Sequence, residues 1–99
     1  MRIKREMTPG GKQAVLKIKG EFNFALVQEM REAYVDLNNE DIVVDLREAT
    51  YMDSAGLGIL LNMQDYLKKS DGEIRLINCP DAIKHVLFIA KFEKKFRIE

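Results

Sequence analysis

The sequence holds one cysteine and one histidine in 99 residues. The lone Cys79 excludes an intrachain disulfide, and the lone His85 leaves a metal cluster of His and Cys short of ligands. It also leaves a single imidazole for active-site chemistry. No apolar run reaches the roughly 18 residues of a membrane-spanning helix, so no membrane insertion is expected. The opening Met1-Arg2-Ile3-Lys4-Arg5-Glu6 is too polar for a secretory signal, which makes the cytoplasm the expected compartment. Net charge is lacking too, since 16 Lys and Arg balance 16 Asp and Glu. A nucleic-acid binder usually carries a basic excess and a disordered tail a net charge, so neither class fits.

What the chain does have is core material, with 46% apolar and 32% charged residues. A chain of this size buries about two-thirds of the surface it exposes when unfolded, enough for one core without metal or cross-links. Residues 1–99 are therefore expected to form a single domain. No cofactor is called for, and a binding or switching role stands ahead of an enzyme.

Two-residue alternation marks the first clear element. Ala14, Leu16 and Ile18 face one way and Val15, Lys17 and Lys19 the other, which predicts a half-exposed strand. A weaker strand over residues 3–7 precedes it. Thr8-Pro9-Gly10-Gly11 between them is a turn signal, so the two form a hairpin. Leu26, Met30, Ala33 and Leu37 then recur at helical spacing, widened by Val27 and Tyr34, with Asn23 suited to cap the helix start. Ile42-Val43-Val44-Asp45-Leu46 is a short β-branched run, the pattern of a strand buried on both faces.

A second helix is expected over residues 54–69. Its inward stripe would be Ala55, Ile59, Met63 and Tyr66 with Leu60 and Leu67, while Leu57 and Leu61 lie further round, on the side of Ser54. Those two leucines either complete the core or face a partner. Ile74-Arg75-Leu76-Ile77 reads as a strand. Pro80 opens a third helix carrying Ile83, Val86 and Leu87, and Phe96-Arg97-Ile98 reads as a short edge strand. The order is β-β-α-β-α-β-α-β, an α/β fold with a mixed sheet and helices packed on it. Loops after parallel strands gather along one sheet edge, where open α/β sheets usually place their sites.

The unusual segment is Met52-Asp53-Ser54-Ala55-Gly56-Leu57-Gly58. It begins a helix yet carries two glycines, each costing about 0.8–1 kcal/mol relative to Ala in a helix interior. Small residues there allow close packing of helix on sheet, or close approach of a partner. Ser54 is placed as the N-cap, with its hydroxyl at the positive end of the helix dipole. Asp-Ser before a helix is first of all a capping pair. An accessible hydroxyl at such a boundary is also a candidate phosphorylation site, where a phosphate would add about −1.5 to −2 charges.

Asp53-Ser54-Ala55-Gly56-Leu57-Gly58, after Val43-Val44-Asp45-Leu46 and the spacer of residues 47–52, resembles the signature of STAS-domain anti-sigma factor antagonists. Gly20-Glu21-Phe22 and Gly72-Glu73-Ile74-Arg75-Leu76 resemble further segments of that family, so the resemblance covers nearly the whole chain. It implies a STAS-like fold and a protein that is not an enzyme. It also implies an unphosphorylated form that binds a partner acting both as anti-sigma factor and as serine kinase, releasing the sigma factor. Phosphorylation ends that binding, and a PP2C-type phosphatase resets it. By position, Ser54 is the phosphoacceptor, and Asn23, Asp53, Ala55, Gly56 and Leu57 join it in the partner contact. The family usually has Asp where this chain has Asn23, which can cap but carries no charge.

Other readings are open at this stage. A constitutive STAS module, serving as a scaffold in a signalling assembly or an accessory subunit of a lipid transport complex, would share the fold without phosphorylation. An acyl carrier would be acidic and all-helical, with Leu where Ala55 stands. A serine hydrolase elbow needs Gly-x-Ser-x-Gly, and the first Gly position is Met52. Cys79 reads as a passive thiol and His85 as a solvated side chain. Lys91, Lys94, Lys95 and Arg97, interspersed with Glu93 and Glu99, read as a solvated surface able to help dock an acidic partner.

Overall fold

The computed structural model describes residues 2–99; Met1, the first residue of the expected domain, lies outside the described residues. The alternating segment is strand β2 (Gln13–Phe22), with Ala14, Leu16 and Ile18 buried and Lys19 and Glu21 exposed. It pairs antiparallel with β1 (Ile3–Met7) across a turn in which Gly10 and Gly11 take φ of +87° and +69°. Those left-handed values suit glycine because it has no Cβ to clash.

Strand β3 (Asp41–Met52) runs parallel to β2, followed in parallel by β4 (Arg75–Ile77) and β5 (Arg97–Ile98), giving the sheet order β1-β2-β3-β4-β5. Three helices connect them: α1 (Val27–Tyr34), entered through a 3-10 turn at Phe24–Leu26, α2 (Ser54–Tyr66) and α3 (Asp81–Ile89). The expected mixed sheet and element order are both present. Ile42, Val43 and Val44 are each no more than 3% exposed, so β3 is covered on both faces there. Leu26, Met30, Ile59, Leu60 and Met63 from the helical segments join Leu16, Phe22, Val44 and Leu46 in one core.

Helix α1 is tied along the outer side of β1. Glu29 Oε2 accepts hydrogen bonds from the backbone N–H of Arg2 at 2.9 Å and of Ile3 at 2.7 Å. The guanidinium of Arg5 donates to both carboxylate oxygens of Asp36 just beyond the helix, at 2.6 and 3.2 Å.

Three expectations need correction. Residues 47–52, read as a spacer, continue β3. The register with β2 shows why: Lys17 pairs with Asp45 but Lys19 with Glu48, and Gly20 pairs with Ala49 but Glu21 with Tyr51. Each step inserts one extra residue into β3, the definition of a bulge. The N–H of Arg47 in the first bulge donates to Asp45 Oδ1 at 3.0 Å. Buried Leu46, Ala49 and Met52 therefore recur at intervals of three, which hides the strand period of two.

Helix α2 ends at Tyr66, short of the expected Lys69. Leu67 closes it and Lys68 turns left-handed at φ +56°. Tyr66 is not on the buried stripe: it is 52% exposed, and its hydroxyl donates to the Val35 carbonyl at 2.7 Å. Gln64 is buried in its place, donating from Nε2 to Asp71 Oδ1 and to the Lys95 carbonyl, both at 3.2 Å. Position 64 lies four from Leu60 and three from Leu67, and position 66 lies three from Met63, so both flank the buried stripe; the bonds to Asp71 and Lys95 mark the flank that is covered.

Because β4 pairs only with residues 43–45 of β3, the β2–β3 ribbon runs on well past β4. That projecting end carries the site.

Candidate functional site

The ribbon ends with Phe22 of β2 paired to Met52 of β3. One extended residue follows each strand and opens a helical segment: Asn23 at φ −136° and Asp53 at φ −120°. Asn23 Oδ1 accepts from the N–H of Ala25 at 3.0 Å, capping the 3-10 turn as expected. Asp53 Oδ1 accepts from the N–H groups of Ala55 at 3.0 Å and Gly56 at 3.2 Å. Two side-chain caps thus stand at the ends of neighbouring strands.

The cap of α2 is Asp53, not Ser54 as expected. The strand holds Met52, so Asp53 is the residue left with extended backbone, the conformation an N-cap requires. A carboxylate is also a stronger acceptor for backbone donors than a hydroxyl. Ser54 becomes the first helical residue; it is exposed, and its hydroxyl takes no part in the cap. Removing Ser54 from the cap leaves its oxygen open to the outside.

The two glycines differ. Gly56 is buried, and a Cβ there would lie 2.5 Å from the Phe22 carbonyl oxygen and 2.9 Å from Met52 Cγ. The first turn of α2 therefore presses against the end of β2, which only glycine permits. At Gly58 an added Cβ meets nothing within 4 Å. Packing of helix on sheet explains the first glycine and not the second.

Ser54, Leu57, Gly58 and Leu61 follow the i, i+3, i+4, i+7 spacing of one helix face. Leu57 and Leu61 are half-buried, packed on the core while keeping some surface. Ala55 is half-buried as well. The structure adds two aromatic side chains that the sequence did not single out: Phe24, 79% exposed beside Asn23, and Tyr51, 49% exposed two residues before Asp53. Phe24 is one of several apolar residues between Phe22 and Val27, and nothing in that run distinguishes it from the core residue Leu26.

The remaining candidates lie elsewhere in the fold. Cys79 follows β4 and is half-buried; burial pushes its thiol up to about 11, which suits a passive thiol. His85 is exposed on α3, and Lys91, Lys94, Lys95 and Arg97 are all exposed. Among the described residues no group of three or more His, Cys, Asp or Glu could hold a metal, and no helix is long and apolar enough to cross a membrane.

The architecture defines a small α/β module of mixed sheet that presents a capped helix start, with an open serine, at the projecting end of two parallel strands. Residues 4–99 match the STAS domain family, and the chain belongs to that family, among the anti-sigma factor antagonists. It is 39% identical over 90 residues to a STAS-domain containing protein of Pseudomonas aeruginosa, covering 89% of each chain. It is 30% identical over 86 residues to the anti-sigma-B factor antagonist of Staphylococcus aureus, covering 84% of this chain and 80% of that one. The unphosphorylated form of the anti-sigma factor antagonist SpoIIAA superposes with a TM-score of 0.75 at 19% identity, covering 98% of this chain and 87% of that one. The phosphorylated form of SpoIIAA, from Bacillus, gives 0.64 at 18% identity, covering 98% and 90%. At these identities the structural likeness concerns the fold.

Proposed function

We propose that residues 1–99 act as a single-domain anti-sigma factor antagonist in the cytoplasm. The unphosphorylated chain binds an anti-sigma factor that is also a serine kinase, and the sigma factor is freed. Asn23, Asp53, Ser54, Ala55, Gly56 and Leu57 make the contact. The observation that carries this reading is the exposed Ser54 at the start of α2, with the capping bonds made by its neighbour. The names of the Staphylococcus antagonist and of phosphorylated SpoIIAA support it.

In the transfer step Ser54 Oγ attacks the γ-phosphorus of the kinase's ATP. A new O–P bond forms, the bond to the bridging oxygen breaks and ADP leaves. The hydroxyl proton goes to a base supplied by the partner. The product carries about −1.5 to −2 extra charges. Burying such a charge unpaired at an interface costs several kcal/mol, which is well over a hundredfold in affinity. A PP2C-type phosphatase restores the serine by bringing water to the phosphorus, releasing inorganic phosphate.

The test is incubation with the cognate anti-sigma kinase and ATP. One phosphoryl group should add to the wild-type chain and none to Ser54→Ala. One observation favours a second reading: the neutral Asn23 stands where the family usually has a carboxylate. Stable binding of the partner with no phosphoryl gain would support that reading, a constitutive STAS scaffold or accessory module.

A further inference from the structure

A helix start is a ready site for an anion, because its first N–H groups have no partner within the helix. A phosphate on the first helical residue would normally turn inward and take those donors. In α2 two of them are occupied, those of Ala55 and Gly56. A single oxygen, Asp53 Oδ1, receives the N–H of Ala55 and of Gly56, and the N–H of Leu57 closes onto the Asp53 carbonyl at 3.2 Å.

We infer that Asp53 is a positioning residue for the switch: by holding the Ala55 and Gly56 donors it denies them to a phosphate on Ser54 and keeps that phosphate turned outward. The inference rests on the reading of Ser54 as the phosphoacceptor. Two features reinforce it. The Asp53 bonds are charge-assisted, and the incoming dianion is repelled by the same carboxylate it would have to displace. The turn is also held in place from below, since Gly56 sits against the Phe22 carbonyl with no room for a Cβ. It has little freedom to tilt and offer a second set of donors.

The phosphate consequently makes few new bonds within the chain. Its charge stays at the surface, facing a docked partner and reachable by a phosphatase. Without the Asp53 carboxylate the same modification would become an internal cap, tightening the helix and hiding part of the charge.

The experiment uses the full chain with phosphoserine incorporated at position 54 during synthesis, so that no kinase is needed. Wild type and Asp53→Ala are each compared with their unphosphorylated forms by thermal melt and by NMR of the Ala55 and Gly56 amides, above the second phosphate ionisation near about pH 6. In wild type the two amides should keep their positions, show no coupling to phosphorus through a hydrogen bond, and the Tm should stay level or fall. In Asp53→Ala the amides should shift, couple to phosphorus, and the Tm should rise on phosphorylation. Amide coupling to phosphorus in the wild-type chain, with a higher Tm, overturns the inference. That comparison decides the matter even if Asp53→Ala does not fold. Failure of the kinase to modify Ser54 would sink the proposed function and leave this result standing.

Discussion

Gly56 lies so close to the Phe22 carbonyl oxygen that an alanine methyl at that position would come to 2.5 Å from it. This contact locks the first turn of α2 to the last residue of β2, and it sets where the neighbouring serine emerges.

Gly56→Ala should therefore destabilise the chain, although alanine is the better helix former. Forcing a methyl group into a packed site typically costs about 1–3 kcal/mol, more than the roughly 1 kcal/mol gained in helix propensity. A lower urea midpoint is expected. A midpoint equal to wild type would show that helix and strand separate easily here.

Gly58→Ala should do the opposite. The added methyl meets nothing, so the gain of up to about 1 kcal/mol in helix propensity is unopposed. A rise in urea midpoint is expected beside the fall for Gly56→Ala, and opposite signs in one helix make a sharp check.

Ser54→Asp should leave the melt nearly unchanged, because Ser54 is exposed and outside the cap. Affinity for the anti-sigma partner should drop by more than about tenfold, equivalent to about 1.4 kcal/mol. Calorimetry beside the melt measures both; intact fold with intact affinity contradicts the switch.

Cys79 gives a pH signature. Its thiol is raised from 9.0 to about 11 by burial, the largest cause, with Asp45 adding to the rise and Lys84 opposing it. A group whose folded pKa lies above its unfolded value, here 9.0, contributes its full stability below that value. The contribution is lost as pH rises from there through about 11. Urea midpoints should fall less steeply over that window in Cys79→Ser than in wild type, and alkylation of folded Cys79 near pH 8 should be slower than that of a free thiol.

Local patterns made much of this fold legible. Ala14, Leu16 and Ile18 announced β2, the glycine turn announced the hairpin, and Asn23 announced its cap. What was hidden depends on neighbours distant in sequence. The bulges that carry β3 to Met52 exist only against β2, and they replace the strand period by intervals of three. Whether Asp53 or Ser54 caps α2 follows from where that strand stops, since both residue types can serve. Gly56 and Gly58 are one residue type two positions apart, and only the Phe22 carbonyl tells them apart. The exposure of Ser54 at a helix start was legible because its surrounding segment is unusual for a helix.

The carboxylate that Glu29 lends to the N–H groups of Arg2 and Ile3 has an effect beyond anchoring α1. Exposed strand margins invite stray chains to zip on and grow into insoluble stacks. Here one border of the sheet starts with donors already occupied and goes on through Lys4 and Arg5, while the opposite border is a strand of just two residues. The molecule is thereby guarded against recruiting its own copies into fibrils at either flank.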